Sequence, residues 1–152
     1  MIKVENLFFL IIMLVILILI LLPFIIVFCN NMIAKNVEKE LLKTPIPNNT
    51  EIIDSISIAG KLVGNGNGMQ YFGAILIKTD LRETDIINYY SKYRKNDWSY
   101  LIEKQESNRI NILENGEYNF KNMTENNKDN YYIIYSWGKA SNFLLEIDLR
   151  GH

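Results

Sequence analysis

The chain has 152 residues, with 16 basic and 17 acidic side chains and a formal net charge of −1. That balance gives no electrostatic reason to expect nucleic acid or an anionic surface as a partner. The single cysteine, Cys29, leaves no pair for a disulfide and no cysteine-based zinc site, and the single histidine, His152, is a poor base for serine- or cysteine-hydrolase chemistry.

In chain order, a short tail (residues 1–6) leads into Leu7 to Cys29, LFFLIIMLVILILILLPFIIVFC, which holds no charged residue. At 1.5 Å per helical residue it reaches roughly 34 Å, slightly more than the roughly 30 Å hydrocarbon core of a bilayer. The stretch therefore predicts one transmembrane helix, the form in which a lone segment satisfies its own backbone in lipid. It is too long for a cleaved signal peptide and lacks a small-residue cleavage site. Bulky Phe28 before Cys29 argues against lipidation there. Pro23 is tolerated better in a lipid-spanning helix than in a soluble one. The mean hydropathy of +0.01 thus averages an apolar span with a polar, Asn-rich remainder. For orientation, Lys35, Lys39 and Lys43 outnumber Lys3, which favours a cytoplasmic head by the positive-inside rule. A short tail, one span and a compact cysteine-free domain is nevertheless a common plan for extracytoplasmic bacterial proteins, and the head is expected outside the cell membrane.

Asn30 to Lys43 has helical spacing through Ile33, Val37, Leu41 and Leu42 and reads as a stalk continuing the span, with a helix lying on the headgroups as the alternative. Thr44 to Thr50, carrying Pro45 and Pro47, reads as the linker that ends it. A domain over residues 51–152 follows. Ile52 to Leu62 alternates as a half-buried strand. Gly64-Asn65-Gly66-Asn67-Gly68 signals a hairpin. Met69 to Thr79 is apolar on both parities and so predicts a central strand. Asp80-Leu81-Arg82-Glu83 has the form of a capping box and opens a helix to about Lys95, with Ile86, Tyr90 and Tyr93 facing inward. Strands are then expected at Trp98 to Glu103, at Arg109 to Leu113 turning through Asn115-Gly116 into Tyr118 to Phe120, and at Tyr131 to Trp137 paired with Phe143 to Leu149. The polar run Lys121 to Asn130 reads as an exposed loop. The expected class is α+β: a transmembrane helix, then an antiparallel sheet of about six strands with one main covering helix.

The stretch Gly60 to Gly73, with Leu41-Leu42 before Pro45-Ile46-Pro47, Tyr89-Tyr90 and Asp148-Leu149-Arg150-Gly151-His152, resembles a family of small, uncharacterised bacterial proteins with one N-terminal transmembrane span and a C-terminal α+β domain. The resemblance covers most of the chain after the span. It implies an architecture and no mechanism.

Two groups of residues are candidates for binding. Asn65, Gly66, Asn67 and Gly68 exceed what a two-residue hairpin requires, and loops carry function disproportionately. A phosphate loop would need Gly-Lys-Ser/Thr and a following helix, whereas Lys61 precedes this loop and a strand follows it. Glu146, Asp148, Arg150 and His152 share one strand parity and would line the polar face of a last strand. That face is either a small ligand site or a solvated row of weak charge pairs. No cofactor and no metal is expected. The expected function is a non-enzymatic, single-pass membrane-anchored domain that binds a partner protein or envelope component, besides the lipid bilayer itself. The alternatives are a small-ligand-binding or hydrolytic domain using the last strand, and an immunity-type protein.

Overall fold

A computed structural model describes residues 4–93, 100–124, 130–139 and 142–152. Helix α1, Val4–Lys43, is unbroken for 40 residues and passes through Pro23. It is long and apolar enough to cross a membrane. Every large apolar side chain from Leu7 to Ile25 is exposed. From Ile26 the helix changes character. Ile26, Asn30, Ala34, Glu38 and Leu41 are buried, with Ile33 and Val37 half-buried beside them. This is an i, i+4 stripe, the spacing of a helix with one covered face.

That stripe lies on a four-stranded antiparallel sheet. Strands β1 (Thr50–Gly60), β2 (Gln70–Thr79), β3 (Leu101–Gln105) and β4 (Tyr131–Gly138) are ordered β1-β2-β4-β3. β2 is central, as its apolar residues on both parities require, and so is β4. The second half of α1 packs across β1, β2 and β4. Residues 30–43 are helical as their spacing predicts, but they belong to the head rather than to a free stalk. The close approach depends on Gly73: a Cβ there would stand 2.5 Å from the backbone N of Glu38 and 2.8 Å from the carbonyl C of Val37.

Helix α2, Glu83–Tyr90, adds to the same face. Ile86 and Tyr90 are buried with Leu41, Ile75, Ile77 and Ile134, so the expected helix phase is correct. The expected capping box does not form. Arg82 occupies the N-cap, makes no side-chain cap bond and instead pairs with Asp85 at 2.9 Å. The α-helix gives way to a 3-10 turn, Ser91–Tyr93, and residues 94–99, including Lys95 and Trp98, lie outside the described residues.

The opposite face of the sheet carries Phe72, Ala74, Leu76, Ile133 and Tyr135. Its cover is the irregular segment 106–124, through Ile110, Leu113 and Phe120. The two strands expected there are not regular. The chain doubles back through Gly116, φ 99°, but forms one bridge, Arg109 to Asn119. Ile110 and Phe120 N–H bond across that bridge, to Tyr118 O and Asn108 O, but Glu114 and Asn115 N–H both donate to Leu62 O, and Lys121 and Asn122 N–H donate to Asp54 Oδ2.

β1 carries a register shift between Ile52 and Asp54. A bulge reverses which face each later residue meets. Ser55 and Ser57 consequently look toward α1 and not to solvent. There the Glu38 carboxylate accepts from Ser55 Oγ at 2.6 Å and from Lys35 Nζ at 2.5 Å. Burial pushes the Glu38 carboxyl upward, but hydrogen bonds from Lys35, Ser55 and Ser57 outweigh it and hold the group below the ordinary value.

The largest departure from expectation is at the end of the chain. Residues expected as a strand from Phe143 to Leu149 form two 3-10 turns, Phe143–Ile147 and Leu149–Gly151. Asn142 caps the first through Leu144 N–H, and Asp148 caps the second through Arg150 N–H. Side chains that bond their own following backbone compete with the sheet ladder. Among the described residues the sheet therefore has four strands where about six were expected.

Candidate functional site

The candidate site is built where the C-terminal turns meet α1 and the 64–68 loop. Asn30 is its hub. It lies one turn beyond Ile26 on the buried stripe, and it is fully buried. Its Nδ2 donates to Leu145 O at 3.0 Å and to Asp148 Oδ2 at 2.8 Å, and its Oδ1 accepts from Tyr71 Oη at 2.8 Å. One amide thus joins α1, β2 and the C-terminal turns.

Asp148 is buried and satisfied on both oxygens. Arg150 folds back on it, Nη2 to Oδ2 at 2.6 Å and Nε to Oδ1 at 3.0 Å. The Arg150 guanidinium, with help from Asn30, holds the Asp148 carboxyl well down, at about 2. Arg150 also reaches α1, donating from Nη1 to Asn31 Oδ1 at 2.8 Å and from Nη2 to Val27 O at 3.4 Å. The Tyr71 phenol is pushed up to about 12 by burial and by the charges of Glu146 and Asp148.

The two candidate groups do come together, although not on a strand face. Gly68 N–H donates to Gly151 O at 2.7 Å, Met69 N–H donates to Glu146 Oε2 at 2.8 Å, and Lys61 N–H donates to Arg150 O at 2.6 Å. His152 Nε2 donates to Glu146 O at 2.9 Å. Among the predicted residues, Gly68, Glu146, Asp148, Arg150 and His152 therefore share one cluster. Asn65, Gly66 and Asn67 stand apart from it, exposed at the tip of the loop. The connection between β1 and β2 runs over residues 61–69 and is no tight two-residue turn. It is pinned through Gln70, whose Oε1 accepts from both Leu62 and Val63 N–H.

Two clefts flank the cluster. One, of about 510 Å3, lies beside the loop and is lined by Val63, Met69, Gln70, Trp137, Lys139 and Glu146. The other, of about 730 Å3, runs between α1 and edge strand β1, where Asn31, Lys35, Ser57, Tyr118 and Arg150 face it together with Phe28 and Met32. Among the described residues, no three of His, Cys, Asp and Glu converge in a way that could hold a metal ion.

Sequence reasoning missed Asn30 and Glu38. The signal was present in the spacing. Asn30, Ala34 and Glu38 fall on the stripe of Ile26, Ile33, Val37 and Leu41, so a helix with that stripe buried must take both polar residues inside. Compared with models of protein families, with curated proteins and with solved structures, the chain matches none.

Proposed function

We propose that the protein is a single-pass, membrane-anchored binding domain. Its partner, a protein or an envelope component, docks in the cleft beside the 64–68 loop, with the head on the outer face of the cell membrane. The observation that carries this reading is the division of α1. The helix is apolar all round and uncovered over residues 7–25, then without interruption becomes the main cover of a folded sheet. A helix that is apolar on every side and has no protein cover suits lipid.

Binding rather than catalysis is favoured by how the polar groups are used. Asp148 is saturated by Arg150 and Asn30, one Glu146 oxygen is taken by Met69 N–H, and His152 is turned onto a backbone carbonyl. Trp137, Lys139, Gln70 and Glu146 instead give the cleft wall an aromatic surface and polar groups that could orient a ligand. The cleft also falls in the size range of small-molecule sites, roughly 300–1,000 Å3. That size favours, as a second reading, a small envelope metabolite in the same cleft.

Three measurements on the full chain in cells test this. The chain should pellet with membranes and be released by detergent but not by alkaline carbonate. An impermeant amine reagent should label head lysines in intact cells. A photo-crosslinking residue replacing Val63 or Lys139 at the cleft rim should give a discrete adduct that the same residue at Thr84, beyond the opposite end of β2, does not. Adducts absent from both rim positions under several growth conditions, or equal at all three, would remove the cleft as the docking site.

A further inference from the structure

We propose that the C-terminal 3-10 turns form a second membrane contact, in which Phe143, Leu144, Ile147 and Leu149 dip into the lipid boundary beside the point where α1 leaves it. The inference rests on the membrane-anchored reading and adds to it a surface of the head itself.

Four large apolar side chains in seven residues face outward here, at 76%, 40%, 53% and 85% exposure. The turns that carry them are otherwise firmly held, through Asn30 to Leu145 O and Asp148, and through Arg150 to Asn31 and Val27. A soluble surface normally scatters such residues; a cluster marks a contact. The turns bond to α1 at Val27, Asn30 and Asn31, and α1 exposes Phe24 and Phe28 beside those positions in sequence.

The height of the patch identifies its occupant. α1 is uncovered over residues 7–25, a rise of roughly 28 Å. This nearly equals the roughly 30 Å hydrocarbon core. When the uncovered part fills the core, no length is left to lift the head clear of the lipid. Ile26 is already inside the head, and the turns bond to α1 at Val27, Asn30 and Asn31. The patch therefore sits at the boundary between acyl chains and headgroups. Burying apolar side chains there is favourable. At the same level of α1, Arg150, which bonds Val27 O and Asn31, and Lys35 line one cleft and place two cationic side chains beside the patch. The proposed partner is thus the bilayer surface.

The test uses nitroxide labels on the full chain, with Cys29→Ser, reconstituted in vesicles of phosphatidylcholine and phosphatidylglycerol. Single labels go at Ile18→Cys in the span, at Phe143→Cys and Leu149→Cys in the patch, and at Asn48→Cys beyond the far end of α1. All four side chains are exposed, so labelling leaves the fold intact. Accessibility to oxygen relative to a water-soluble nickel chelate is read for each. The proposal expects the ratio at 143 and 149 to be several-fold above that at 48 and below that at 18, as for a label at the boundary of the core. Patch labels that behave like 48 while 18 reads as lipid overturn the patch and leave the span. Patch labels shielded from both reagents mean that protein covers them, which also overturns it. A label at 18 that reads as water removes the anchored reading and this inference with it.

Discussion

The two halves of α1 are one helix in two environments. Over residues 7–25 its sides are all alike, apolar and uncovered. Over residues 26–41 it has an inside and an outside, and its inside includes an amide and a carboxylate as well as aliphatic groups. On the membrane-anchored reading, the difference is the one that periodicity makes between protein and lipid as a neighbour. Against lipid, no direction is special, so any apolar residue serves at any position. Against a sheet, each position on the stripe meets a particular partner: Ala34 lies with Ala59 and Tyr71, Glu38 meets Ser55, and Leu41 joins Ile75 and Ile77.

Substitutions that treat the halves alike should therefore have unlike consequences. Leu41→Ala empties a fully buried site and should lower the stability of the detergent-solubilised chain by about 3 kcal/mol. Leu17→Ala in the uncovered half should change it by less than about 0.5 kcal/mol. Thermal or denaturant unfolding compares them, and equal effects would break the distinction. Gly73→Ala sharpens it from the other side of the contact. The added methyl meets backbone that must move, at about 2 kcal/mol, and the melting temperature should fall accordingly.

Asn30→Ala should cost a further, smaller amount, about 1.5 kcal/mol, because Tyr71 Oη and one Asp148 oxygen lose a buried partner. Limited proteolysis should then cut first in the C-terminal turns, which Asn30 ties to α1. The smallest effect is acid sensitivity at Asp148. Its carboxyl is held down at about 2 in the folded chain, against about 3.9 in an unfolded one. A depressed carboxyl stabilises the fold fully above about pH 4, and the contribution is lost as pH falls through about 2. Allowing for the partial exposure of Arg150, it is worth on the order of 1 kcal/mol. Asp148→Asn should flatten that part of the stability–pH curve.

The elements legible in the sequence were those where one rule dominates. The run from Leu7 has no competing signal. β2 and β4 are apolar on both parities because they are central with both faces covered. α2 kept its phase because Ile86 and Tyr90 have nowhere else to go. Where sequence and structure differ, the local pattern is overruled by bonds or offsets it does not contain. Phe143 to Leu149 alternates acceptably, yet Asn142 and Asp148 cap 3-10 turns there. Simple alternation from Ile52 would turn Ser55 and Ser57 to solvent, but a bulge that sequence does not announce turns them toward α1. Of the candidate site, no local pattern places the glycine loop beside Glu146 and the C-terminal turns. Gly68 and Met69 N–H join them directly, and Asn30, in the stretch that reads as a stalk, ties the turns to α1.

The unbroken passage of α1 from uncovered to covered has a mechanical consequence. On the membrane-anchored reading, a single continuous helix makes span and head tilt as one lever. Tilting a span by about 20° is ordinary for membrane helices. It would carry Leu41, roughly 22 Å further along the axis than Ile26, sideways by about 8 Å. Bilayer thickness, or a neighbouring helix that leans on the span, would thereby steer both clefts without touching either.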